Sequence, residues 1–433
     1  MKSIFLTITL AILTVAAGYS QKYNKAKNLY TQGKVNEAVT EIEGVIKDPK
    51  QNTNSDVWYL RAQIYSNILK DESRSQDKEM ARENIWESLE KYFELEDKKD
   101  ASKRYLMLTL DNRQPLVDLY TSHSADGAAF YNANNFQDAL KNFQKSLKVF
   151  ELMTEKGFIE DYTMDTLTTL YAGISAEKAN DLDAAANYYS KLADAKATEE
   201  GFVELYKWLA DHYYKRKNDI ATSTKYLNLG RELYPEEEFW DVYELDMLRE
   251  QEDKTALFNK YEEIIRNNPN DYLNKFNYAV ELYQIANNPD SAARPANAKE
   301  LLEKAKEQLI SSLQDNPDFP NSNLVLAQIY YNEGVDIVNE NAKIRPAAGG
   351  RLTAEQTKEK ERLRELTNQK YDQAKVYLEK IEQVLGSQGK LKGQEKMILR
   401  DAYDMLIIIY EQKRDKDKAN AYTEKYNNVD KDH

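Results

Sequence analysis

The chain has 433 residues, 41% hydrophobic and 31% charged, with only 14 Gly and 9 Pro. So few turn-formers exclude an all-β fold and favour long amphipathic helices with one wet face. A formal net charge of −13 argues against nucleic acid as a main partner, because phosphate binding needs a basic stripe. The absence of cysteine excludes disulfides, thiolate metal sites, cysteine nucleophiles and an acyl anchor on Cys.

The N-terminus reads as an export signal. Lys2 provides a positive start, Ile4 to Ala17 an apolar run, and Gly18 and Ser20 the small residues for cleavage after Ser20, with a cut after Gly18 as the rival. The alternative is an uncleaved membrane anchor, for which the run is short against a span of about 20 residues. The signal peptide is therefore expected over 1–20 and the mature domain over 21–433.

From there the pattern is helical throughout, in pairs. Each pair has a small residue in its first helix, an aromatic about one turn on, a Gly or Asn turn, and an Ala early in its second helix. Hairpin one carries Ala26, Tyr30, Gly33, Ala38, Ile42 and Val45. Hairpin two opens with Trp58, Ala62 and Tyr65, and the polar stretch 70–79 delays its second helix to Ala81, Ile85 and Leu89. Residues 100–120 break the period; a short helix is expected in SKRYLMLTL, and Pro115 suits the first turn of the next helix.

Hairpin three is the cleanest, with Gly127, Tyr131, Asn134, Phe136, Ala139, Phe143 and Leu147, and hairpin four repeats it with Gly173, Asn180, Ala185, Tyr189 and Leu192. Hairpin five carries Ala210, Tyr214, Asn218, Leu227 and Gly230. Hairpin six carries Trp240, Leu245, Leu248, Leu257, Tyr261 and Ile264. They exit at Pro235 and Pro269, 34 residues apart. Hairpin seven begins at Phe276, Ala279 and Tyr283 and exits late, at Pro317. Hairpin eight opens with Ala327, Tyr330 and Gly334, but its second helix waits until Ala374, Leu378 and Ile381. The insert 335–370 between them reads as a loop followed by a charged helical lead-in. Hairpin nine pairs AYDMLIIIY with DKANAYTEKY, and its polar tail suits a solvent-facing cap.

A 34-residue helix–turn–helix period with this small–large pattern resembles the tetratricopeptide repeat (TPR) superfamily over nearly all of 21–433. The AQIYYNEGVDIVNE segment, the delayed helix and the YSQ cleavage region resemble exported TPR proteins of Bacteroidetes-type bacteria. The resemblance implies an all-α, right-handed superhelix of about nine helix pairs. It also implies protein or peptide binding in a concave groove, and no chemistry or cofactor of its own.

In that family the groove is lined by the first helix of each pair. Carried onto this chain, the positions are Tyr59, Gln63 and Asn67 in hairpin two, and Tyr131 and Asn132 in hairpin three. Hairpin five contributes Trp208, His212, Lys215 and Arg216; hairpin seven, Tyr283 and Gln284; hairpin eight, Gln328, Tyr331 and Asn332. Amide side chains offer a donor and an acceptor to an extended peptide, and Tyr adds rigid area with a polar tip. Lys215 and Arg216 are the basic pair expected on that face, where an acidic peptide end could dock.

Catalytic signals are poor. His123, His212 and His433 lie far apart, and there is no HExxH, P-loop or dinucleotide fingerprint. The reading is a non-enzymatic periplasmic scaffold or adaptor, part of an envelope complex and free of nucleic acid. The alternative is a glycan or nutrient binder resembling the SusD-type outer-membrane proteins.

Overall fold

The computed structural model describes residues 21–347 and 350–433. The expected signal peptide, 1–20, lies outside them. The chain divides into two compact units, one ending at Trp240 and the other running from Asp241 to His433. Among the described residues there is no strand.

In the first unit, helix α1 over 21–31 pairs with α2 (Val35–Ile46). Ala26, Ala38, Ile42 and Val45 form a core with Val57, Leu60 and Ile64 of α3 (Ser55–Lys70). The polar stretch after α3 is a 3-10 turn (Glu72–Asp77) leading into α4 (Lys78–Glu96). Next comes the irregular segment, with a one-turn α5 (Leu106–Leu110). The regular hairpins come after it: α6 (Gln114–Asn132) with α7 (Phe136–Glu155), α8 (Thr166–Lys178) with α9 (Leu182–Asp194), and α10 (Val203–Asp211) with α11 (Ile220–Leu233). Pro115 occupies the first turn of α6, where its missing N–H has no helical partner to lose.

The second unit takes most of α12 (Phe239–Glu250), then α13 (Lys254–Asn267), α14 (Tyr272–Ala286) and α15 (Ala298–Asp315). It ends with α16 (Pro320–Lys343), α17 (Ala354–Leu385), α18 (Gly393–Gln412) and α19 (Lys416–Asp432). The charged lead-in is continuous with its helix: α17 runs 32 residues from a capping box at Thr353 and Gln356.

Two local devices make the hairpins. The first is the turn. Asn134, Asn180 and Asn218 take φ of 59°, 62° and 51°, and Gly33 takes 73°, the left-handed conformation that Gly and Asn adopt at least cost. After each Asn an Asn or Asp caps the next helix: Asn135, Asp181 and Asp219 accept from the N–H three residues on. The second device is close approach. A β-carbon on Gly127 would meet the Phe143 ring at 2.7 Å, and one on Gly173 would meet Tyr189 at 2.6 Å. Small residues on one helix thus seat rings from its partner. Gly334 and Tyr371 repeat this in the second unit.

The structure is therefore an all-α helical repeat, with nine helix pairs among the described residues. One departure is a π-helical turn (His212–Arg216) where regular α-helix is expected at the end of α10. It inserts an extra residue into the helical path and rotates the side chains beyond it.

Candidate functional site

On the first helix of hairpin two, the expected groove face is not open. The segment 100–113 folds back over α3, burying Leu108 beside Tyr92 and Leu116. Asp111 arrives with it and accepts 2.7 Å and 2.8 Å hydrogen bonds from the Tyr59 hydroxyl and the Gln63 amide. Tyr59 is buried, and burial followed by the Asp111 contact raises its hydroxyl well above the ordinary tyrosine range. Ser66, one turn on, is buried and donates to Asp118. The assignment of Tyr59 and Gln63 to partner binding is therefore corrected: they anchor an inserted segment. Asn67 remains exposed.

Tyr131 packs edge-on to Phe136 and Tyr171 at 5.6 and 5.3 Å, half-buried, while Asn132 is exposed beside it at the end of α6. In the second unit, Asn332 donates 3.2 Å to the Tyr283 hydroxyl, joining α16 to α14. Tyr331 stacks on Tyr371 at 5.7 Å; Gln328 is half-buried and Gln284 exposed.

A cavity opens at hairpins four and five. Its volume is about 620 Å³, and it takes residues from α8, α9, α10 and the start of α12. Trp208, Tyr189 and Phe239 give its aromatic surface; Glu177, Glu204 and Asp211 give three carboxylates, against the single ammonium of Lys207. That ammonium is itself paired to Glu204 at 3.0 Å and Glu237 at 2.9 Å. Tyr189 donates 2.8 Å to Glu177 and meets Trp208 edge-on at 5.1 Å. The cavity therefore combines π faces with excess negative charge.

His212 stands behind the indole, not in the cavity. It is buried, its ring is parallel to Trp208 at 4.6 Å, and neither ring nitrogen has a hydrogen-bond partner among the described residues. Burial, reinforced by the Lys217 charge, lowers its pKa, so it backs Trp208 as a neutral ring. This corrects the expectation that His212 contacts a partner directly. Lys215 and Arg216 lie on the π-turn; both are exposed, and Lys215 is paired to Asp211 at 2.6 Å. They do not line the cavity.

Sequence reasoning found Trp208 but missed its neighbours. The signal was present. The positions in the other hairpins lie three residues before the small residue and one, four or five beyond it, as Tyr59 and Gln63 do around Ala62; applied to Gly173 this spacing yields Leu170, Ile174 and Glu177, and applied to Ala210 it yields Lys207 and Asp211. All five line the cavity. The positions expected in hairpin five sit one residue too far along the chain.

A smaller slot of about 270 Å³ lies between α4 and α7, lined by Trp86 and His123 among others. Lys148 already covers the Trp86 face, its Nζ 4.2 Å from the ring centre. His123 is buried and its Nδ1–H donates 3.2 Å to Asn142. Burial, then the Arg82 charge, lowers its pKa from 6.5 to about 4. The unfolded chain therefore takes up this proton first as pH falls. Stability is expected to be unaffected by this group above pH 6.5 and to fall as pH drops from 6.5 to about 4. Urea unfolding across that window, with His123→Gln flattening the slope, checks it.

Among the described residues no His, Asp and Glu cluster is arranged to hold a metal ion, and no helix is long and apolar enough to cross a membrane. No family model matches the sequence, and no curated protein matches it. Similar solved structures include the P58(IPK) TPR domain, 13% identical over 90% of this chain and 98% of that one, with a TM-score of 0.25. Yeast Tom70 is 11% identical over 96% and 92%, with a TM-score of 0.20. The human IFIT1 dimer with m7Gppp-AAAA is 14% identical over 93% and 88%, with a TM-score of 0.23. At such scores they say nothing of function, and the repeat assignment rests on the chain's own hairpins.

Proposed function

We propose that the chain is a non-enzymatic, exported TPR scaffold that holds a protein partner through the Trp208 cavity, gripping a basic side chain of that partner. The observation that carries this reading is the cavity itself: three aromatic rings and three carboxylates drawn from successive hairpins. A Lys or Arg side chain is attracted both by the face of an indole and by neighbouring carboxylates. The stem of that side chain lies well against Leu170 and Ile174, which are also in the lining.

The test is a peptide array probed with the chain from residue 21. Lys- and Arg-bearing peptides are expected to dominate. Trp208→Ala is expected to cost about 2 kcal/mol or more of binding, as an interface anchor does. Glu204→Gln, which leaves the core untouched, is expected to weaken basic peptides selectively. Equal binding by all three proteins would dismiss the cavity as the site. Trp208-dependent glycan binding without peptide binding would favour the SusD-like alternative.

Export belongs to the same proposal, as does an envelope complex in the periplasm. It rests on the charged start, apolar run and small residues within 1–20. N-terminal sequencing of the protein from a periplasmic fraction is expected to begin at Gln21; a cytoplasmic product starting at Met1 would refute it.

A further inference from the structure

We propose that the second unit carries a separate binding site for an acidic peptide, in the cleft framed by the C-terminal ends of α16 and α18 and the first half of α17. The cleft has a volume of about 460 Å³. Its walls come from evenly spaced residues: Val338, Asn341 and Ala342 on α16 face Arg364, Thr367 and Asn368 on α17, each set at i, i+3 and i+4. Arg414, in the turn after α18, closes the third side with Glu411 and Gln412.

Three observations point to a carboxylate-bearing peptide. Arg364 and Arg414 are both exposed and line the same cleft, and neither makes an ion pair among the described residues. Next, Glu411 reduces the lining to one net positive charge. That suits a single carboxylate better than a phosphate dianion, and the amides of Asn368 and Gln412 suit the backbone beside it.

The last observation is the length of the helices. The buried part of α17 that closes the stack runs from Tyr371 to Leu385. Its first half, with only Leu363 and Thr367 buried, exceeds what a hairpin of a repeat of about 34 residues needs. That extra length is what builds the wall bearing Arg364. The insert at 335–370, which the stack does not require, thus acquires a role.

Arg414 sits at φ 63°, so Arg414→Gly removes the guanidinium at a position where glycine is at ease. Arg364→Gln removes the other charge on an exposed helix face. The experiment is fluorescence anisotropy on the chain from residue 21, with three labelled decapeptides: Glu-rich with an amidated end, Gly-Ser with a free carboxyl end, and Gly-Ser amidated. At least one of the two acidic probes is expected to bind over the amidated neutral one, which tells a side-chain carboxylate from a chain end. Each variant is expected to weaken it by roughly tenfold, with melting unchanged. Trp208→Ala is expected to leave it intact, which separates this site from the basic-side-chain site. The proposal is overturned by equal binding of all three probes, or by variants that bind as wild type. Competition by inorganic phosphate but not by acetate would overturn it as well.

Discussion

Gly127→Val is expected to destabilise the first unit by about 3 kcal/mol, at the upper end of what overpacking a helix contact costs. The reason is the ring of Phe143, 2.7 Å from where the new β-carbon would stand, itself almost fully buried with Ala139 behind it on α7. Neither partner can yield cheaply. The ring is held by Tyr171 stacked at 5.9 Å, and α6 and α7 are joined by a tight turn at Asn134. In a repeat array the loss is felt first by the hairpin concerned. Hydrogen exchange in α6 and α7 should therefore accelerate before that in α2 or α3. Adding Phe143→Leu gives the valine room, and the double variant is expected to be less destabilised than the sum of the singles. A Gly127→Val protein within about 0.5 kcal/mol of wild type would show that this contact does not set the helix spacing.

The second large effect is expected at Arg61. Its side chain is buried in the heart of hairpin two, with Nε donating 2.8 Å to Glu43 and Nη1 donating 2.9 Å to both Glu87 and the Ser88 hydroxyl. It also reaches the Asn84 carbonyl at 3.2 Å and lies over the Tyr65 ring at 5.2 Å. Tyr65 in turn donates 2.9 Å to Glu43. Removing one member of such a network strands the others, so Arg61→Ala is expected to cost about 3 kcal/mol. Arg61→Lys should recover less than half, because an ammonium cannot fork to Glu43 and Glu87 together. Urea unfolding of both variants decides the matter; a loss below about 1 kcal/mol for Arg61→Ala would place the pair among ordinary surface ion pairs.

Much of this was legible in the amino-acid order because it is local. Asn180 followed by Asp181 specifies a left-handed turn residue and a helix cap without reference to anything distant. Gly173 and Tyr189 meet because both belong to one hairpin. The delayed second helices at Ala81 and Ala374 were readable from polar stretches; α4 begins as the first of these ends, and α17 begins within the second and runs on through it. The candidate site was less legible. Trp208 was singled out, but its companions were taken one residue too far along α10, and Lys207 and Asp211, at the right spacing from Ala210, were passed over.

The order of residues alone determined the class of fold, the hairpins and their turns, since each depends on spacings within a single helix pair. Folding in three dimensions decided which faces stay open. Asp111 caps Tyr59 from 52 positions away in sequence, and Trp208 acquires its cavity only when α8, α9 and Phe239 surround it. Burial is set by whatever segment lands on a surface, and an inserted stretch such as 100–113 can land only once the helices beneath it have packed.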